Sequence, residues 1–165
     1  MATLCTGPFL VPNHTCNGNP VNFFFISFTN LSNRRLTATV KMDHVFTHPN
    51  QPQSPCIPLH PPASIRVEPN SAVMLSHSVF PSMPISNSNT LSNAPHILIV
   101  TVSGNVDKSR DLIQVCVTGG FSSDGGSSLS EAEPTMFFRH DDFIVVHHGD
   151  LPLPPHHPLK PDSSA

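Results

Sequence analysis

Tryptophan and tyrosine are absent from this 165-residue chain, so aromatic burial falls to eleven phenylalanines whose rings carry no hydrogen-bonding tip. The core is therefore expected to be simply apolar. Positive charge is scarce: eight Lys and Arg stand against eleven Asp and Glu, the net charge is −3, and no basic cluster exceeds Arg34-Arg35. The electrostatic footprint of a nucleic-acid binder is missing, which sets that class of partner aside. No apolar run approaches the roughly 20 residues that a membrane-crossing helix needs, so no membrane partner is expected. The opening Met1-Ala2-Thr3-Leu4-Cys5-Thr6-Gly7-Pro8 lacks the basic start and continuous apolar stretch of a signal peptide. The expectation is a protein that stays in its cell or leaves by lysis of that cell.

The four cysteines, at positions 5, 16, 56 and 116, form no CxxC pair, which counts against a tetrahedral zinc site or a thioredoxin-like motif. Disulfides or plain thiols remain. There is no G-x-S-x-G for a nucleophilic serine, and the glycine-rich stretch 119–126 has no lysine to hold phosphate, so it reads as a hinge. No enzyme, cofactor or metal site is expected. Eleven histidines suggest metal at His140-Asp141-Asp142, His147-His148 and His156-His157. Adjacent residues on a strand point to opposite faces, however, so neither histidine pair chelates from a rigid sheet, and pH-responsive surface imidazoles are the better reading. Asn13-His14-Thr15 and Asn30-Leu31-Ser32 match the glycan acceptor pattern, which arises easily by chance in a chain this rich in Asn, Ser and Thr.

What is present is turn chemistry: nineteen prolines with many serines and asparagines separate short apolar runs. The length fits one domain. Residues 1–20 show neither a period of 2 nor of 3.6 and read as a flexible connector arm. Val21 to Thr29 is an almost unbroken apolar run of strand length, implying burial on both faces. After the turn Asn30-Leu31-Ser32-Asn33, the stretch Arg35 to Met42 alternates, with Leu36, Ala38, Val40 and Met42 inward, and is expected to pair with the first strand as a hairpin. Residues 43–63 carry six prolines and read as a long loop. A short strand pair is expected at 64–68 and 72–79, and a hairpin from 96–102 and 112–118. Two further strands fall at 135–139 and 142–147. The fold class expected is all-β: a single β-sandwich or jelly roll of about eight antiparallel strands. It spans 21–148, and a Pro/His-rich, polyproline-like tail follows at 149–165.

Ile113, Val115 and Val117 share one face of their strand while Leu112, Gln114 and Cys116 share the other, so Cys116 is expected on the less buried side, reachable from outside. Cys5 and Cys16 lie on an arm that, at roughly 3.3 Å per residue, could reach a neighbouring copy. The alternative is that Cys56 and Cys116 are buried apolar thiols and Cys5-Cys16 closes a local loop.

The segment Val21 to Val40, with its strand, Asn-Leu-Ser turn and Thr/Val strand, and the run Arg66-Val67-Glu68-Pro69-Asn70-Ser71 resemble small β-rich proteins of one group. The order of a cysteine-bearing lead and a small sandwich is similar to the subunits of bacterial endospore appendages and related spore-surface proteins. That resemblance implies a fibre in which the connector of one subunit is disulfide-linked to the sandwich of others. Cys5 and Cys16 would be the connector cysteines, with Cys116 or Cys56 as acceptors. The function expected is thus a structural, self-assembling subunit, extracellular or on the spore surface. Its partners are copies of itself and other surface proteins, with Phe23, Phe24, Phe25, Ile26 and Phe28 as contact candidates. Two alternatives are a binding or adhesion module for carbohydrate or protein, using the loops at 43–63 and 119–133, and a small jelly-roll capsid protein.

Overall fold

The computed structural model describes residues 2–45, 56–79, 96–106 and 112–146. They form two antiparallel sheets packed as an all-β sandwich. The first sheet contains β1 (Ala2–Cys5), β2 (Phe9–Val11), β4 (Leu36–Val45), β5 (Cys56–Pro58), β6 (Ala63–Val67), β8 (His96–Gly104) and β11 (Ile144–Val146). Its order is β11-β1-β8-β4-β5; β2 also lies along β8, and β6 along β4. The second sheet, β10-β9-β3-β7, is built from β3 (Phe23–Asn30), β7 (Ser71–Ser78), β9 (Ile113–Phe121) and β10 (Glu131–Phe138). A 3₁₀ turn, His140–Asp142, leads into β11. The eleven strands of the described residues exceed the eight expected because β1, β2 and β5 are three or four residues long, too short for alternation to register.

The alternation read from the sequence is the packing observed. Leu36, Ala38, Val40 and Met42 of β4 are buried, and so are Ile113, Val115 and Val117 of β9. The all-apolar strand β3 is interior to its sheet, paired in register over all eight residues with β7 on one side and β9 on the other. Phe24, Ile26 and Phe28 fill the space between the sheets, and Phe25 is buried on the opposite face. Burial of this kind stabilises by about 1.5–3 kcal/mol per large side chain. It also removes Phe24, Phe25, Ile26 and Phe28 from the contact candidates, since a side chain closed off by its own fold cannot touch another molecule. Phe23 alone of the five is partly exposed.

Residues 2–20 do not form a free arm. Ala2–Cys5 pairs with Thr101–Gly104 of β8 on one side and with Ile144–Val146 on the other. After a break at Thr6-Gly7-Pro8, Phe9–Val11 resumes the ladder against His96–Leu98. Leu4 and Val11 enter the core, and Phe9 reaches across to the second sheet, its ring 6.0 Å from Phe24 and 4.6 Å from Phe138. The proline and glycine that make this stretch read as irregular interrupt one edge of β8 for three residues and no more.

Three connections expected to be hairpins are arches between the sheets: β3 to β4, β6 to β7 and β8 to β9. The first two are tied together by Asn30, which is wholly buried. Its Nδ2 donates to the carbonyls of Arg34 (2.8 Å), Val67 (3.1 Å) and Glu68 (3.0 Å), and its Oδ1 accepts from the Ser32 N–H (2.9 Å) and hydroxyl (2.7 Å). Asn70, in the left-handed conformation that asparagine tolerates, donates its N–H to Ser32 O at 3.2 Å. The third arch turns at Gly104 (φ 117°), where a Cβ would stand 2.7 Å from the Thr37 carbonyl oxygen, so only glycine fits. Asn30 therefore cannot carry a glycan in the folded protein, whereas Asn13 is exposed.

Candidate functional site: thiol-bearing grooves on opposite faces

Each sheet carries a shallow groove on its outer face, and each groove contains a half-buried thiol. On the first sheet, Leu4 points into the core, so its neighbours Thr3 and Cys5 point outward. They line a groove of about 380 Å³ with Thr39, Lys41, Thr101 and Val146. The Gly7 N–H donates to Cys5 Sγ at 3.3 Å. β11 supplies an apolar rim, with Ile144 opposite Cys5 and Val146 opposite Thr3, both exposed. Among the described residues the only charged one in the wall is Lys41, paired with Asp43 at 2.8 Å.

On the second sheet a groove of about 400 Å³ is lined by Ser27, Thr29, Gln114, Cys116, Phe137 and Arg139, with His140 and Asp141 at its end. Cys116 lies on the outer side as the sequence reading expects: its neighbours Val115 and Val117 are buried, Gln114 is exposed, and the thiol is half-buried, 3.9 Å from Thr118 Oγ1. Phe137 is 45% exposed and the Arg139 guanidinium stands 5.5 Å over its ring. His140 accepts the Val115 N–H at Nδ1 (3.3 Å), so its bonded nitrogen is held by backbone and not by the thiol. This is not the geometry of a cysteine activated by an orienting base.

No family model, curated protein or solved structure matches this chain.

Cys5, Cys16 and Cys116 are all free thiols, so Cys5 and Cys16 do not close a local loop. Cys16 is exposed on the 12–20 segment, its Sγ 3.8 Å from Glu131 Oε1. Glu131 clasps this segment to the start of β10, accepting from Asn17 N–H (3.2 Å) and Asn19 Nδ2 (2.7 Å), and the Asn19 bond holds its carboxyl below the usual range. Cys56 has its backbone on β5 opposite Val45, and its side chain lies outside the described residues. Cys5 and Cys116 project from opposite faces of the sandwich. Packed sheets lie about 10 Å apart, beyond the roughly 7 Å between Cα atoms that a disulfide spans, so the two cannot pair within one copy.

His140-Asp141-Asp142 is a 3₁₀ turn whose Asp142 carboxylate accepts the Arg139 N–H at 2.7 Å. Among the described residues no three His, Cys, Asp or Glu side chains gather to hold a metal ion. His147-His148, His156-His157 and the tail from 149 lie outside the described residues, as do positions 46–55 of the proline-rich loop. The 122–128 loop folds around Asp124, whose Oδ1 accepts from the Ser122 hydroxyl and the N–H groups of Ser127 and Ser128 and whose Oδ2 accepts the Ser128 hydroxyl. These bonds, the Ser128 hydroxyl first among them, hold its carboxyl well below the usual carboxylate range. The pattern Ser-Ser-Asp-Gly-Gly-Ser-Ser is a legible signal for such a turn.

A second histidine feature is invisible in the sequence. His77 faces inward at the end of β7, its ring 5.0 Å from that of His60 in the β5–β6 connection, so the pair bridges the two sheets. His77 Nε2 is buried without a hydrogen-bond partner among the described residues, and burial, then the neighbouring His60, lowers its pKa. A lowered imidazole pKa means the unfolded chain binds the proton more readily. Stability is therefore full above the ordinary value of about 6.5 and declines as pH falls below it towards the folded-state pKa. Urea unfolding midpoints should drop between about pH 7 and 5, and His77→Leu should flatten that slope.

Proposed function

We propose that this protein is a structural subunit that assembles with copies of itself. The outer face of the first sheet of one copy stacks on the outer face of the second sheet of the next, and Cys5 of one links to Cys116 of the other. The observation that supports it is the placement of two free, half-buried thiols in grooves on opposite faces of one sandwich. A contact between two different faces does not close on itself, so repeating it generates a filament. Each link forms when two thiols lose two protons and two electrons to an external oxidant such as dioxygen, so covalent locking belongs to oxidising surroundings, outside a reducing cytosol. A surface fibre of the spore-appendage kind suits that chemistry. The linkage here runs from a strand of the folded body and needs no free arm.

Purified protein exposed to air should run as a ladder on a non-reducing gel and collapse to one band with reductant. Either Cys5→Ser or Cys116→Ser alone should stop growth, because each link needs one thiol of each kind, while both variants keep the wild-type melting temperature. A ladder unchanged in either variant, or an oxidised protein that stays a single band, overturns the reading.

A binding module is the second reading, favoured by the groove on the second sheet, where exposed Phe137 carries Arg139 over its ring beside Ser27, Thr29 and Gln114. Saturable binding of a glycan or an anionic peptide by the reduced monomer, lost in Arg139→Ala, would favour it.

A further inference from the structure

The strands that flank the two sheets differ sharply in how they end their ladders. At one side of the second sheet, β10 carries Glu131, Glu133 and Pro134, and its register with β9 shifts between Ala132 and Phe137. Those are the devices that keep another strand from adding on: charge, a missing N–H and a bulge. In the first sheet β11 and β5 are three residues each and β6 is five with Arg66. The other side of the second sheet has none of these protections. There β7, Ser71-Ala72-Val73-Met74-Leu75-Ser76-His77-Ser78, runs eight residues in unbroken register with β3, contains no Lys, Arg, Asp, Glu, Pro or Gly, and pairs with no described strand on its outer side.

We infer that β7 pairs edge to edge with β7 of a second copy, antiparallel about a two-fold axis at Met74, joining two four-stranded sheets into one of eight. This inference adds a lateral contact to the stacking proposed above and rests on the reading of the protein as a self-assembling subunit.

Three observations determine the register. Val79 N–H bonds the Asn22 carbonyl across on the β3 side (2.9 Å), and Ser78 O turns the other way to His60 Nε2 (3.2 Å). Alternation along an antiparallel strand then directs the N–H and C=O groups of Ala72, Met74 and Ser76 to the open edge. The two-fold axis must stand perpendicular to the sheet to keep inner face with inner face, so facing residues must have the same parity. Because His60 already occupies the Ser78 carbonyl, the pairing that uses the remaining groups sets Ala72 opposite Ser76 and Met74 opposite its twin. Ala72, Met74 and Ser76 are the exposed side chains of this strand, and Met74, 55% exposed, is the largest of them. The pairing covers that thioether with its own copy. No Lys, Arg, Asp or Glu lies on the strand to repel its twin across the axis, and a row of open N–H and C=O groups is a template for pairing with another strand.

Met74→Cys in a background with Cys5, Cys16, Cys56 and Cys116 all changed to Ser tests the geometry directly. Directly opposed residues of a hydrogen-bonded antiparallel pair stand about 5.5 Å apart at Cα, within the range a disulfide spans. Mild oxidation should give a dimer and nothing larger. Met74→Lys in wild type under reductant should weaken self-association about tenfold or more in sedimentation, since like charges directly opposite repel. A Met74→Cys protein that stays monomeric at high concentration overturns the inference. So do Ala72, Met74 and Ser76 amides protected from exchange in dilute monomer, because the protein's own chain would then cover the edge. Failure here with a surviving Cys5- and Cys116-dependent ladder removes the lateral contact only. A Met74→Cys dimer without any such ladder leaves the edge contact and removes the stacked fibre.

Discussion

Asn30→Asp is expected to destabilise the protein by about 3–5 kcal/mol, more than Asn30→Ala, although it changes one NH₂ group into an oxygen. The wild-type Nδ2 points at three carbonyl oxygens from two different chain corners, all within 3.1 Å. An aspartate there sets a negative oxygen against three acceptors inside a fully buried site. Alanine only leaves those carbonyls without a donor, at about 1–3 kcal/mol. The aspartate variant carries its own pH signature. Its folded-state carboxyl is pushed upward, so its stability is greatest in acid and is lost as pH rises above the ordinary aspartate value of about 4. Urea unfolding of the three proteins at pH 4 and pH 7 decides the matter: an aspartate variant as stable as the alanine variant at pH 7 would mean that Asn30 is not the tie between the β3–β4 and β6–β7 corners.

Removing residues 1–11 is expected to abolish cooperative unfolding altogether. The deleted segment contributes Leu4 and Val11 to the core, together worth about 3–6 kcal/mol of apolar burial, and the Phe9 contacts with Phe24 and Phe138 besides. A domain with about 5–15 kcal/mol of total stability does not survive that loss together with one side of the β8 ladder. The nine-residue strand β8 would then be open along that side, so aggregation should accompany unfolding. Leu10→Ser is the control: Leu10 is exposed on the outer face and its loss should leave the thermal midpoint within a degree or two. A truncated protein that melts as wild type would restore the reading of this segment as a free connector.

The candidate cysteine on β9 was legible because Ile113, Val115 and Val117 alternate with Leu112, Gln114 and Cys116, and alternation is a local property of a strand. β4 was legible for the same reason, and β3 because eight residues with few polar interruptions can only sit inside a sheet. The role of Cys5 was not legible. Its strand is four residues long and interrupted at Gly7-Pro8, and the pairing that orients it comes from β8 and β11, about a hundred residues or more away. The His60–His77 pair was hidden for a like reason, since nothing near either residue points to the other.

The turns teach the same lesson from the other side. Asn30 to Asn33 and the links that follow residues 68 and 102 were each recognisable as reversals, and each is one. A reversal, however, has two outcomes: the returning strand can lie beside its predecessor as a hairpin or across from it as an arch. Local turn residues look the same in both. Here the choice was made by side chains meeting from separate corners, Asn30 on Val67 and Glu68 and Asn105 on Thr37.

The sequence by itself determined which residues of the long alternating strands β4 and β9 face inward and where the chain turns, because side-chain periodicity and turn chemistry act over a few neighbouring residues. Only the tertiary structure decided which strands share a sheet, that residues 2–11 belong to the body, and that Cys5 and Cys116 lie on opposite faces. Those outcomes depend on pairings between distant segments, whose free energy comes from closing the core as a whole and leaves no mark on any short stretch of chain.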